Sequence, residues 1–186
     1  MSQFEFILII TSVIYAMAVA QILSGVGRLA QAEVPVRWYL PHTLWIVIVF
    51  VLLFLVWWST WEFRTLDWTF PGYAYMIIAP TLLYFTASLL IPSRGFTKEI
   101  DLEAHFLRIR KPFLWSFLFA TAAGVIDGTV LQDEPLWFPG RIGHLALLIT
   151  VFAGLHATRK VTQTTIASLT LLALAYITLT RLWFPR

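Results

Sequence analysis

The sequence predicts an all-α fold: an integral membrane bundle of six transmembrane helices, with one amphipathic helix lying at the cytoplasmic interface. Three observations lead there. Of the 186 residues, 59% are hydrophobic and only 12% are charged, against roughly 25% charged in an average water-soluble domain. That leaves too little polar material to cover a globule in water. The charged residues are also clustered, leaving charge-free windows at 6–27, 38–61, 68–93, 112–126, 142–158 and 161–180. A helix needs about 20 mostly apolar residues to cross the hydrocarbon core. Finally, each window is a continuous apolar run, whereas the strands of a membrane barrel alternate. Disorder is excluded by the 16% aromatic content, which includes nine tryptophans.

The helices are expected at about 4–28, 42–63, 72–92, 112–131, 141–158 and 162–183, with the interfacial helix at about 98–111, all in a single domain spanning 1–186. Helix 1 reads as a retained span, because no Lys or Arg precedes Arg28 to form the basic region of a cleavable signal. In lipid, helices associate by close backbone approach, so stripes of small residues mark protein-facing sides. Helix 1 has Ser12, Ala16, Ala20, Ser24 and Gly27 at helical spacing. Helix 2 has no Gly, Ala or Ser from Leu44 to Trp58, so it is expected to face lipid or a bulky oligomer contact. In helix 3, Pro80 cannot donate to the carbonyl of Met76, which predicts a kink.

The segment before helix 4 carries Leu102, Phe106, Ile109 and Phe113 on one helical stripe, with Glu99, Asp101 and Glu103 at its start and Arg108, Arg110 and Lys111 at its end. That order suits the helix dipole. It predicts an amphipathic helix on the membrane surface that breaks at Pro112. Helix 4 reaches its length only by continuing through Asp127 to about Leu131, and Ala120, Gly124 and Gly128 form a ladder of the GxxxG kind. Helix 5 offers Gly143, Ala146, Thr150, Ala153 and Ala157, and helix 6 offers Thr164, Ser168, Ala175 and Thr178. The short connection around Arg159-Lys160 makes these two a tight hairpin.

A recurring phrase follows the even-numbered helices: Trp68-Thr69-Phe70-Pro71-Gly72, Trp137-Phe138-Pro139-Gly140 and Trp183-Phe184-Pro185. Tryptophan settles at headgroup depth and proline punctuates helices, so the phrase reads as an aromatic belt. Nine Lys and Arg fall in the odd-numbered connections and four on the other face. The excess of positive charge on cytoplasmic loops then puts both termini outside.

Asp127 is the one acid inside an expected span. An acid there needs a partner or a function. Arg141 and His144, three residues apart on the outer turn of helix 5, and Arg181 on helix 6 lie at similar depth. These define a polar cluster that either handles protons or a small ion or serves as a structural ion pair. Glu62, Arg64 and Asp67 read as a solvated loop cluster. Of the four histidines, His42 opening helix 2 and His156 closing helix 5 could share the inner leaflet and supply the two axial ligands of a haem. No HExxH, glycine-rich phosphate loop, nucleophile motif or nucleic-acid-binding stripe is present, and the chain has no cysteine.

The order of features resembles that of uncharacterised bacterial polytopic membrane proteins of about this size. The resemblance is carried by Leu23-Ser24-Gly25-Val26-Gly27-Arg28-Leu29, Trp57-Trp58 and Asp101-Leu102-Glu103-Ala104-His105-Phe106. It implies a bacterial inner-membrane location and assigns no catalytic residue. The sequence thus favours a non-enzymatic accessory or assembly subunit, or a self-associating scaffold, with lipid and a homo-oligomer or larger membrane complex as partners. An ion, proton or solute channel or transporter using Asp127, Arg141, His144 and Arg181 is the first alternative. A haem-binding redox subunit using His42 and His156 is the second.

Overall fold

The computed structural model describes residues 2–92, 99–132, 135 and 141–179. Its helices are α1 (Gln3–Ala30), α2 (Leu40–Ser59, prolonged by a 3-10 turn over Thr60–Phe63), α3 (Phe70–Met76), α4 (Ile78–Leu90), α5 (Leu102–Gln132), α6 (Ile142–His156) and α7 (Lys160–Ile177). Two short strands, β1 (Val36–Arg37) and β2 (Ile100–Asp101), pair in parallel and clasp two connections at the end of the bundle opposite the N-terminus. Four stretches are long and apolar enough to cross a membrane: Gln3–Ala30, Leu40–Phe63, Phe70–Leu90 and Leu102–Gln132. Helix α6 is apolar but shorter, at 15 residues.

Local chemistry sets the helix starts. Ser2 and Glu5 form a capping box on α1, with the Ser2 hydroxyl accepting from Glu5 N at 3.2 Å and Ser2 N donating to Glu5 Oε2 at 2.8 Å. The first Trp-Phe-Pro phrase is a helix start. Thr69 Oγ1 accepts from Gly72 N at 3.3 Å, and Pro71 occupies the first turn of α3, where its missing N–H costs nothing. The other two copies of the phrase lie outside the described residues. The third rod breaks at Ile77 between α3 and α4, one residue after the carbonyl that Pro80 leaves without its helical donor.

Several expectations are corrected. Helix α2 packs one face against α1, α4, α5 and α7, with Trp45, Ile48, Val49 and Leu53 buried, while Val47, Val51, Phe54 and Trp58 on the other face stay exposed. Trp45 is the hub, its ring centroid 5.2 Å from that of Phe113 and 5.4 Å from that of Phe117, both edge-on. Apolar side chains have no preference between lipid tails and other apolar side chains. An all-apolar helix can therefore give one face to its neighbours and the other to the outside.

Helix α1 buries Phe4, Ile7, Thr11, Tyr15, Ala18, Ile22, Gly25 and Leu29, a heptad stripe, while Ala16, Ala20 and Ser24 are exposed. The small residues that matter are Thr11, Ala18 and Gly25 within that stripe. On α6, Ala146 and Ala153 are exposed and the buried face is Gly143, Leu147, Val151, Gly154 and Leu155. On α7, Ser168 and Ala175 are exposed, and Gln163, Ile166, Ala167, Thr170 and Leu174 are buried. The α6–α7 hairpin itself forms as expected. Thr170 Oγ1 donates to Thr150 Oγ1 across it at 3.2 Å.

No separate interfacial helix exists among the described residues: α5 runs unbroken from Leu102 through Pro112 to Gln132. The stripe of Leu102, Phe106 and Phe113 is fully buried in protein, packed under α2. Pro112 is exposed on the outer side of the helix. Asp101 starts α5 by accepting from Ala104 N at 2.9 Å, while Arg37 reaches its carboxylate at 3.2 Å and that of Glu103 at 3.9 Å.

Candidate functional site

Polar groups gather at both ends of the bundle, in different ways. At the end opposite the N-terminus they close helices. A helix leaves its last carbonyls unbonded, and here side chains from neighbouring helices supply the donors. His42 Nε2 donates to Leu90 O at 2.7 Å, and His105 Nε2 donates to Leu89 O and Leu90 O at 3.2 Å, finishing α4. Arg110 donates to Ala157 O, and Gln163 Nε2 donates to Gly154 O at 3.0 Å and Ala157 O at 2.6 Å, finishing α6. All four side chains are buried.

The two histidines of the expected haem pair have different surroundings. His42 is fully buried, with its Nε2 committed to Leu90 and its ring edge-on to His105. His156 is exposed and sits edge-on to Phe152 of its own helix. His42 packs against His105, and its Nε2 is engaged with the Leu90 carbonyl. Among the described residues, no group of three or more His, Asp or Glu side chains is placed to hold a metal ion.

At the N-terminal end of the bundle the polar groups instead surround a cavity of about 150 Å³. It opens between α2, α4, α5, α6 and α7. Asp127, Arg141 and His144 all line it, together with Glu62 from the 3-10 turn and Gln132 from the last turn of α5. The expected cluster therefore assembles around one space. Arg181 lies outside the described residues.

Each side chain is held by a distinct element. Arg141 immediately precedes α6 and is 4% exposed, donating to Val125 O and, at 3.1 Å, to Thr129 Oγ1. One Nη thus bonds the backbone of α5 and the other its side-chain hydroxyl. Asp127 is half-buried on the same stretch of α5, its Oδ1 accepting from Gly128 N at 2.6 Å. Tyr15 from α1 and Tyr75 from α3 lie within electrostatic reach of its carboxylate. Tyr75 Oη also donates to Ala123 O at 2.6 Å. Glu62 is exposed at the mouth, and Gln132 Nε2 donates to its backbone carbonyl at 3.3 Å.

The space exists because of residues read as packing signals. Ala120, Gly124 and Gly128, the ladder on α5, all line the cavity, as does Ala79 from the turn after the α3–α4 break. A Cβ added at Gly124 would meet nothing within 4 Å. This ladder keeps side chains out of a lumen, whereas close packing occurs elsewhere, at Gly25 and Gly143. The remaining wall is apolar, with Leu52, Leu55, Leu83, Leu147 and Leu174. Sequence reasoning placed Glu62 in a solvated loop cluster, and it is exposed, but its position at the cavity was not foreseen; Gln132 was missed and gave no signal.

Comparisons with protein-family models, with curated proteins and with solved structures returned no match. The architecture and the cavity therefore carry the functional argument by themselves.

Proposed function

We propose that this chain is a multi-pass membrane protein of the bacterial inner membrane. In this reading all six rods cross the bilayer, both termini face outward, and the cavity admits a small ion or solute for passage. One observation carries it. In a chain with 12% charged residues, Glu62, Asp127, Arg141 and His144 converge on a single lumen walled mainly by apolar side chains. Ligand sites have this composition: concave, mostly apolar, with a few placed polar groups. Ionisable residues at membrane depth face cavities and mark ion or substrate paths. Ala79 and Leu83 of α4 lie along one wall.

The reading as an accessory subunit or scaffold draws support from the apolar periphery, with Phe6, Ile9, Val13 and Met17 exposed on α1. Lipid accounts for the same surface without a protein partner.

The test is flux in proteoliposomes containing the full chain and a trapped pH-sensitive dye. The wild type is expected to dissipate an imposed proton or solute gradient faster than empty liposomes, and Asp127→Asn to abolish that difference. Equal rates for wild type, Asp127→Asn and empty liposomes would refute a transport role.

A further inference from the structure

A basic corner lies at the end of the bundle opposite the N-terminus, where α5, the α6–α7 turn and the chain leading into α2 meet. Arg110 of α5 and Gln163 of α7 both donate to Ala157 O in the turn. Arg110 is also within electrostatic reach of the Tyr39 hydroxyl, and Lys160 Nζ lies 5.6 Å from the centre of the Tyr39 ring. Arg159, next to Lys160 in the chain, is exposed at the turn.

Among the described residues, none of these three cations has a carboxylate partner, and Asp101 and Glu103 at the start of α5 are taken by Arg37. For the exposed Arg159 and Lys160 that is ordinary. For Arg110 it is not. Arg110 is 8% exposed, its one hydrogen bond goes to Ala157 O, and its Nε is buried with no acceptor. A charge removed from water is costly unless it is paired, so Arg110 calls for an anion from outside the chain. The backbone asks for the same thing. Helix α7 is 18 residues long, and its N-cap residue Arg159 gives no side-chain bond to the first N–H groups. Open helix N-termini receive phosphate and carboxylate groups. The opposing negative end of α6 is closed at the same turn by Gln163 and Arg110.

The rim of the corner is apolar. Val161 beside Lys160, and Trp38 and Leu40 on either side of Tyr39, are each more than half exposed. A soluble anion gains nothing from such a rim, whereas a lipid brings its glycerol and acyl chains to it. We propose that this corner binds an anionic phospholipid, with the phosphate over the α6–α7 turn against Arg110, Arg159, Lys160 and the open N–H groups of α7. A choline lipid is the poorer guest, because its headgroup carries a cation to three others. The inference rests on the reading of the chain as membrane-spanning and is independent of passage through the cavity.

Native mass spectrometry of the full chain reads the preference, with the protein released from detergent micelles holding equal amounts of phosphatidylglycerol and phosphatidylcholine. The wild type is expected to retain phosphatidylglycerol, and excess sn-glycerol 3-phosphate should not displace it. Lys160→Gln should lower the preference about fivefold, the weight of one cation at an anionic lipid surface. Arg159→Asn removes a cation and supplies the missing cap to α7, so it should lower the preference at least as much while raising Tm in detergent alone. Arg110→Met should abolish the preference, and the two exposed variants decide the matter if it fails to fold. Arg28→Gln, which removes an exposed cation from the same end of the bundle on α1, should change nothing. Equal retention of the two lipids, an unchanged preference in both Arg159→Asn and Lys160→Gln, or an equal fall in Arg28→Gln would overturn the site. Displacement by glycerol phosphate would overturn the lipid as its occupant. Co-flotation with phosphatidylcholine vesicles after detergent removal keeps the two readings apart. A chain that floats with the vesicles and shows no preference loses the lipid site alone, and one that stays behind refutes the membrane-spanning reading itself.

Discussion

At Gly25, α1 lies so close to α4 that an added methyl group would sit 2.5–2.6 Å from three carbons of the Ile91 side chain. Gly25→Ala is therefore expected to destabilise the protein by about 1–3 kcal/mol through overpacking, and Ile91→Ala in the same chain should recover part of that loss. Thermal unfolding in detergent checks both, and additive losses would show that the two residues do not meet. Gly124 is the opposite case, with nothing near its missing Cβ. Gly124→Ala should raise stability by up to about 1 kcal/mol through helix propensity, read as a higher Tm. Asp101 gives a pH prediction. The Ala104 N–H, and then the Arg37 guanidinium, hold its carboxyl below the ordinary value, although some burial of the group opposes them. A carboxyl whose folded pKa is lowered adds stability at neutral pH and loses it as pH falls through that lowered value. Acid titration of the β1–β2 clasp should therefore show a weakening below about pH 4 that Asp101→Asn lacks, and identical acid curves would contradict the clasp.

At the scale of elements, charge spacing located the rods well, because a charge inside a span is costly. The interruptions at Arg28, Arg37, Glu62 and Asp67 fall at or near the ends of the first three rods. Which face of a rod is buried was much less legible. On α1 the choice lay between two stripes of similar composition, and Thr11, Ala18 and Gly25 at seven-residue spacing were the buried ones. Small residues indicated where helices approach closely, yet at Gly124 the same residue type made a void. The distinction depends on what the neighbouring helix presents, which no single-helix pattern contains. Pro112 was read as a break, but α5 continues through it with the proline ring on the exposed side, where losing one helical hydrogen bond is tolerated. Depth arithmetic brought Asp127, Arg141 and His144 together, since helix rise is fixed at about 1.5 Å per residue. Equal depth alone does not make two residues neighbours. His42 and His105 met instead, through the carbonyl of Leu90. A prediction follows for helix closure. Arg110→Met should leave Ala157 O with Gln163 alone and cost about 0.6–2 kcal/mol, seen as a lower Tm without loss of helical signal by circular dichroism. An unchanged Tm would show that the Arg110 bond contributes nothing.

Across the whole molecule, hydrocarbon surrounds the rods on this account, while water enters the end that holds Asp127 and Arg141. The fully buried Trp45–Phe113–Phe117 cluster lies on α2 and on the half of α5 remote from Gly124, so the lumen occupies one end of the bundle and does not run through it. At the opposite end, histidine, arginine and glutamine side chains close the C-termini of α4 and α6. Site-specific thiol labelling tests the central claim most directly, and the natural absence of cysteine makes it clean. Gly124→Cys and Ile126→Cys sit on the same turn of α5, the first lining the cavity and the second exposed on the outer face. With the full chain in proteoliposomes, a charged, membrane-impermeant maleimide should label Gly124→Cys in those molecules whose cavity end faces the reagent. It should spare Ile126→Cys until detergent is added. Labelling of Ile126→Cys at the same rate before detergent, or protection of Gly124→Cys in every orientation, would contradict a water-filled cavity in a lipid-embedded bundle.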